Sequence, residues 1–337
     1  MSPAPGQHPT DRPGEALERL IRRDWRRLTG GKGVRDPDRG TLVACSGGSD
    51  SSALALALAS TPAPITIAHV VHDLRPRAEA LADRDGALAL SRRLGRPFVE
   101  AEVRIRERAG NVEANAREAR YAALNELARE AGALWIATAH HADDVLETML
   151  MRLLRGSGPA GLGGPAPVLP RGISGAGLGV VRPCLGLTRE ELVRICEAHA
   201  WAWREDGSNR DPSRLRGALR ERVTPELRRL FPEGARRAAH AAELLRETQA
   251  LVEGHAQALR EGASRSGDTL VWPRERLRGA PGVVLGAMLR GLVGGEPARL
   301  EQIVRAIRDE SPEPRRFPLG ERAVSVRARE VRLELVR

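Results

Sequence analysis

Residues 42–58 read LVACSGGSDSSALALAL, and the fold depends on how this stretch divides. Its opening is a short apolar run suited to a buried strand, and its close is an Ala/Leu run suited to a helix. Between them stands Ser46-Gly47-Gly48-Ser49-Asp50-Ser51. A strand, a glycine turn and a helix start form the geometry in which backbone N–H groups converge on an anion. Ser46, Ser49 and Ser51 add hydroxyl donors. Asp50 is an acid set among phosphate donors, which calls for a cation such as Mg2+ between it and a phosphate. The stretch lacks the lysine of a Walker loop and the third glycine of a dinucleotide fingerprint, which disfavours γ-phosphate transfer and NAD binding. A serine-rich turn before a helix is also an ordinary N-cap, so these residues alone leave both readings open.

The same alternation continues downstream. TLVAC (41–45), ITIAHVV (65–71), FVEAEV (98–103) and LWIATA (134–139) are strand candidates, separated by helical runs over 51–60, 78–95 and 111–132. This βαβαβαβ order predicts an α/β fold with a doubly wound parallel sheet. Residues 156–179, GSGPAGLGGPAPVLPRGISGAGLG, are too rich in Gly and Pro for regular structure and read as a long loop, either plain surface or an active-site flap. Residues 188–260 read mostly as helix, with a break through REDGSNRDPS. A helix over PARLEQIVRAIRDE (297–310) and one or two strands over AVSVRAREVRLELV (323–336) predict a small α+β appendage. The expected division is a tail and helix over 1–37, a nucleotide domain over 38–230, and a helical linker with a small C-terminal domain over 231–337.

Composition narrows the partners. The chain has 337 residues, a net charge of +10 and three cysteines, Cys45, Cys184 and Cys196, far apart in sequence. Scattered cysteines argue against a disulfide framework, a zinc ribbon or an iron–sulfur cluster, and so for a reducing, cytoplasmic setting. No apolar stretch reaches the ~18 residues of a membrane span, and the start lacks the order of a signal peptide. The positive charge favours a polyanion such as nucleic acid. Only Lys32 among the 54 basic residues is a lysine, so an arginine-rich, GC-biased composition explains the charge equally well.

Two further segments carry chemistry. Glu113, Arg117, Arg120 and Tyr121 recur at spacings of three and four and share one helix face, either as a salt-bridge ladder or as a phosphate-facing set. In HHADDVLET (140–148), His140, Asp144 and Glu147 line one stripe, while Leu146, Met149, Leu150 and Leu153 supply the stripe expected to be buried. The polar set suits a metal, a lysine ammonium or solvent. His69 reads as core or ligand, at the end of a strand where doubly wound sheets place ligands.

Ser-Gly-Gly-x-Asp-Ser after the first strand resembles the PP-loop of the N-type ATP pyrophosphatases, which cleave ATP between its α and β phosphates. NVEANAREARYAAL, TAHHADDVLETMLMRLLRGSG, VRPCLGLTREEL and WREDGSNRD follow in order, and over residues 40–230 the chain resembles the tRNA(Ile)-lysidine synthetases. That resemblance implies ATP and Mg2+ as cofactors, free L-lysine and an isoleucine tRNA with a CAU anticodon as partners, and attachment of lysine to the wobble cytidine. It implies ATP contacts from Ser46, Gly47, Gly48, Ser49, Asp50, Ser51 and His72 with Arg75, and a metal on Asp50. Arg117 and His140 are placed at the nucleotide, the substrate lysine on Asp144 and Glu147, and tRNA on Arg216 and Arg220.

Asp206, Ser208 and Asn209 match a D-x-S-N stretch, with Gly207 where the family usually has proline, and Gly217 replaces the asparagine of R-N-x-x-R. The room after residue 230 suits a short form with a single C-terminal tRNA-binding piece, and a homodimer is left open. The rival readings are a PP-loop tRNA thiolase, which the unpaired cysteines disfavour, and a non-catalytic tRNA-binding protein.

Overall fold

The computed structural model describes residues 13–74, 76–106, 109–170, 177–204 and 215–335. The stretch at 42–58 divides as its composition predicts: strand β1 is Thr41–Ala44 and helix α2 is Ser49–Ala59. All of α2 except Asp50 and Ala59 is buried, so this helix is polar only at its first turn and belongs to the core all round. The chain divides into two units, residues 1–243 and 244–337, with the division inside a long helix.

In the first unit, β2 (Ile65–His72), β3 (Phe98–Val103), β4 (Trp135–Ala137), β5 (Val168–Leu169) and β6 (Gly179–Val181) join β1 in the order β3-β2-β1-β4-β6-β5. The pairings β2–β3, β1–β2, β1–β4 and β4–β6 are parallel, and only β5 runs antiparallel to β6. Thr41 pairs with Ile65 on one side and Trp135 on the other, which fixes the register at the centre. Side chains from α1 (Glu15–Leu28), α2, α3 (Arg77–Leu94) and α7 (Arg189–Ala198) build one apolar layer with Val43, Ile65 and Ile67. Tyr121, Leu124, Leu127 and Ala128 of α4 (Val112–Glu130) build the other, over Leu42, Ala68, Ile136 and Val180. Layers on both faces are what a parallel sheet requires. His69 lies in the core, its Nδ1 2.8 Å from the Cys45 carbonyl oxygen.

The described part of the Gly/Pro-rich run is more ordered than its composition predicts. It holds the short helix α6 (Pro159–Leu162) and the strand β5, and its last residue, Gly179, opens β6. Gly179 can enter the sheet because the space a Cβ would fill is taken by the Trp135 ring. Beyond α7 come α8 (Leu215–Ala218), a π-helical turn over Leu219–Val223, α9 (Thr224–Leu230) and α10 (Gly234–Glu261).

The second unit has β7 (Ser264–Ser266), β8 (Thr269–Pro273), β9 (Arg315–Leu319), β10 (Arg322–Val326) and β11 (Glu330–Leu335), in the antiparallel order β7-β8-β11-β10-β9. The helices α11 (Arg274–Arg278), α12 (Gly282–Val293) and α13 (Pro297–Arg308) share a core with that sheet, built on Trp272, Leu285, Met288 and Ile303. The α+β expectation holds here, and three strands and two helices join the elements read from the sequence. Among the described residues no helix is long and apolar enough to cross a membrane.

Candidate active site

The predicted phosphate loop lies between β1 and α2, at the carboxyl edge of the sheet. Gly47 has φ of 87°, and a Cβ there would come within 2.8 Å of the Asp83 carbonyl oxygen. Its own carbonyl accepts from the Arg204 N–H at 3.1 Å, so Gly47 is wedged between α3 and the chain after α7. Gly48 is different: its Cβ would meet only Ser46 Oγ at 3.6 Å and the Arg204 carbonyl at 3.9 Å. The glycine at 47 is therefore required by the fold, whereas the one at 48 leaves open the approach to the first turn of α2. Ser51 Oγ accepts from the Ser46 N–H at 3.0 Å and donates to the Gly48 carbonyl at 3.2 Å, which braces the turn.

Asp50, in that first turn, is partly exposed. Its Oδ1 accepts from Ser49 Oγ at 3.2 Å, its Oδ2 lies 3.5 Å from His141 Nε2, and Arg189 Nε is 4.0 Å from Oδ1. His141 is 2% exposed and meets two more carboxylates, Asp144 Oδ2 at 3.5 Å from Nε2 and Asp143 Oδ2 at 3.4 Å from Nδ1. Burial opposes its charge, but Asp144, Asp143 and Asp50 outweigh burial and raise its pKa to about 10. His141 is an imidazolium at neutral pH. Burial also opposes ionisation of Asp143 and Asp144, yet both are held below the usual carboxylate range, chiefly by His141 together with arginine partners.

The helix carrying these acids, α5, is Ala142–Leu154, so His140 precedes it and does not share its stripe with Asp144 and Glu147. The histidine against the phosphate loop is His141, which the spacing of the polar stripe does not single out. It stands at the N-cap, where its backbone N–H donates to Asp144 Oδ2 at 3.1 Å. His140 turns the other way. Its Nδ1 is 3.0 Å from Thr138 Oγ1, and its pKa falls to about 3, chiefly because burial disfavours the imidazolium; Asp144 opposes this, and Arg182, Arg120 and Arg117 add to it.

The stripe expected to be buried on α5 is also displaced: Ala142, Asp143, Asp144, Val145 and Glu147 are buried, while Leu153 is 60% exposed. Charge at the sheet edge, rather than the leucines, faces inward.

Asp144 and Glu147 come together as expected, and Arg216 and Arg220 come to them. Arg216 donates to Asp144 Oδ1 at 2.8 Å and Glu147 Oε2 at 3.0 Å. Arg220 donates to Glu147 Oε1 at 2.9 Å and Asp144 Oδ1 at 3.3 Å. Glu147 is 1% exposed. The residues read as a lysine site and those read as tRNA contacts form one network of two carboxylates and two guanidiniums. A Gly at 217 between the arginines is buried, and the π-helical turn carries Arg220.

Asp143 closes the rear of the site, accepting from Arg228 Nη2 at 2.9 Å and the Arg189 N–H at 2.8 Å. On α4, Arg117 and Arg120 both lie over the Tyr121 ring, at 5.1 and 5.6 Å from its centroid, as their spacing predicts. His72 ends β2. Arg75, Asp206, Gly207, Ser208 and Asn209 lie outside the described residues. All three cysteines are buried and unpaired, and burial pushes the thiol of Cys196 up to about 12.

A PP-loop domain family model matches residues 20–227. The chain is 41% identical over 281 residues to the tRNA(Ile)-lysidine synthase of Methylobacterium nodulans, covering 78% of this chain and 79% of that one. The chain belongs to the tRNA(Ile)-lysidine synthase family. Its other relatives in this family include those of Thermus thermophilus, 42% identical over 64% of this chain and 41% of theirs, and Geobacter sulfurreducens, 38% identical over 65% and 47%. The chain thus spans less than half the length of these two. Among solved structures, the U34-tRNA thiolase NcsA from Methanococcus maripaludis aligns over 69% of this chain and 80% of its own, at 18% identity and a TM-score of 0.52, a likeness of fold.

Proposed function

We propose that this protein is an ATP-dependent ligase that attaches lysine to C2 of the wobble cytidine in the CAU anticodon of an isoleucine tRNA. The observation that carries this reading is His141, one buried imidazolium in contact with Asp50 of the phosphate loop and with Asp144 of the carboxylate pair. This contact supports a reading in which an ATP-cleaving loop adjoins a receptor for a cationic substrate. ATP seats its phosphates on the amides and hydroxyls of residues 46–51. Asp50 has the chemistry for Mg2+, a single partly exposed carboxylate beside phosphate donors, and a bound Mg2+ would neutralise charge on the departing pyrophosphate.

The cytosine C2 oxygen attacks the α-phosphorus and pyrophosphate leaves. The lysine ε-amine then attacks the activated C2, and AMP departs. The base must be flipped out of the anticodon stack to expose this edge. Arg117 is positioned on α4 to stabilise charge at the α-phosphate. A lysine ammonium entering between Asp144 and Glu147 takes the place of a guanidinium of Arg216 or Arg220, which frees that arginine for an RNA phosphate. The C-terminal unit, with exposed arginines such as Arg305 and Arg316, adds further tRNA contacts. These substrates imply a cytoplasmic setting.

The test incubates the protein with radiolabelled lysine, ATP and an isoleucine tRNA transcript bearing CAU. Label should enter that RNA and not a methionine tRNA with the same anticodon. No incorporation, or equal incorporation into both, overturns the reading. Asp50→Asn should abolish lysine-dependent AMP release while leaving the circular dichroism spectrum intact.

A further inference from the structure

Among the described residues, three arginines are almost wholly enclosed: Arg39, Arg274 and Arg182. Two of them are structural. Arg39 donates to the carbonyls of Arg26 at 2.8 Å, Thr29 at 2.9 Å and Val34 at 2.6 Å, with Asp36 3.5 Å from its Nε and the Trp25 ring beneath it. Arg274 donates to the carbonyls of Ala306, Ile307, Ser311, Arg327 and Asp309. Arg182 is 2% exposed, yet it donates to one carbonyl, that of Ala166, and its Nε has no acceptor. Among the described residues no carboxylate pairs with it. A buried guanidinium left in this condition is costly unless an anion completes it.

Its neighbours are cationic as well. Tyr121, 6% exposed, has Arg117 and Arg120 over its ring. Burial pushes the Tyr121 hydroxyl up, but Arg182, Arg120 and Arg117 outweigh burial and hold it below its usual range. Burial lowers the pKa of Arg182, the Tyr121 hydroxyl opposes that effect through its charge and a hydrogen bond, and Arg117 and Arg120 add to it. Three guanidiniums thus surround one phenol, with His140 kept neutral beside them.

The position of this cluster in the sheet selects the anion. The order of neighbouring strands is β1, β4, β6. The phosphate loop follows β1, the helix with Asp144 and Glu147 follows β4, and Arg182 follows β6. The carboxylate pair thus stands between the phosphate loop and Arg182 in strand order, and a ligand that bridges the pair and the guanidinium needs a cation at one end and an anion at the other. An amino acid with its ammonium on that pair and its carboxylate toward β6 has that chemistry.

We propose that Arg182, assisted by Arg120 and the Tyr121 hydroxyl, seats the α-carboxylate of the lysine substrate. This rests on lysine transfer being the reaction. It makes Arg182 a specificity residue that distinguishes an amino acid from a plain diamine.

The test measures KM for lysine and the inhibition constant of cadaverine, which is lysine without its carboxylate, in the wild type, Arg182→Met and Arg120→Gln. Loss of one charge-assisted pair should reduce the preference for lysine over cadaverine by ~10- to 100-fold in Arg182→Met. Arg120→Gln should move it in the same direction by less, and Arg182→Lys should restore part of it. The melting temperature of substrate-free Arg182→Met should equal or exceed that of the wild type, because an uncompensated buried cation has been removed.

Three results overturn the assignment. The preference for lysine could survive both substitutions. KM for ATP could rise while the preference stays fixed, which would make the cluster a phosphate seat. Both ligands could weaken equally as the melting temperature falls, which would make Arg182 structural. A wild-type protein that attaches no lysine to RNA fails the proposed function instead, and is recognised before any variant is made.

Discussion

Replacing His141 by glutamine tests the electrostatic centre of the site. His141 is buried and touches Asp50, Asp143 and Asp144, so its removal leaves three carboxylates facing a neutral amide. Breaking a buried ion network from one side costs about 3–5 kcal/mol, and that is the expected loss of stability at pH 7. The pH dependence is the sharper part. The pKa rises from 6.5 in the unfolded chain to about 10 in the folded one. The stabilisation is therefore complete below pH 6.5 and is lost as pH rises through 10, because the folded state holds a proton that the unfolded state has released.

The slope between those limits is about 1.4 kcal/mol per pH unit, or about 3 kcal/mol between pH 7 and pH 9. Wild type and His141→Gln are unfolded in urea at pH 7, 8 and 9 and followed by circular dichroism. Their difference should shrink by most of its value across the series, since other groups titrate alike in both proteins. A difference that stays constant with pH, or a variant as stable as the wild type at pH 7, would refute the protonated, three-carboxylate description of His141.

The phosphate loop glycines should separate in their effects. Gly47→Ala forces a side chain into a φ of 87° against the Asp83 carbonyl, so it should destabilise the fold by about 1–2 kcal/mol or more in urea unfolding. Gly48→Ala should keep near-normal stability and lose ATP-dependent AMP release, because its Cβ has room in the protein itself. Glu147→Gln replaces one of the two Glu147 oxygens that accept from Arg216 and Arg220 by an amide donor and removes a buried charge, and should both lower the melting temperature and raise KM for lysine ~10-fold or more, read in the tRNA-labelling assay. Arg220→Gln, by contrast, should weaken tRNA binding more at low salt than at high salt, with a shallower salt dependence than the wild type in a filter-binding titration.

Much of the fold is legible because its signals are local. Strand-length apolar runs ending at glycine turns and helices closed by Gly95 and Gly132 are written within about twenty residues of each other, and the helix face of Arg117, Arg120 and Tyr121 needs only the period of 3.6. The elements missed are those whose local signal contradicts their place. The three residues of β6 begin at the last glycine of a Gly/Pro-rich run, and they become a strand because the edge of β4 is there to pair with them. Residue order alone does not settle which of two adjacent histidines caps α5. That choice depends on the residue at which the helix starts, and moving the start by one places His141 rather than His140 beside Asp50.

The sequence by itself determined the phosphate loop, the alternating α/β order and the residue types needed to receive a nucleotide and a cationic substrate, since each depends on short-range backbone geometry or on motif chemistry. Only the tertiary structure decided the charge pairing. Arg216 and Glu147 are 69 residues apart in the chain and 3.0 Å apart in space, and Asp50 meets His141 across the sheet edge. Whether a carboxylate is an open receptor or already bears a guanidinium, and whether a buried arginine is satisfied by carbonyls or awaits an anion, depends on which groups chain packing brings within a few ångströms. Coulomb energies in a low-dielectric interior are set by those distances, and no periodicity in the sequence encodes them.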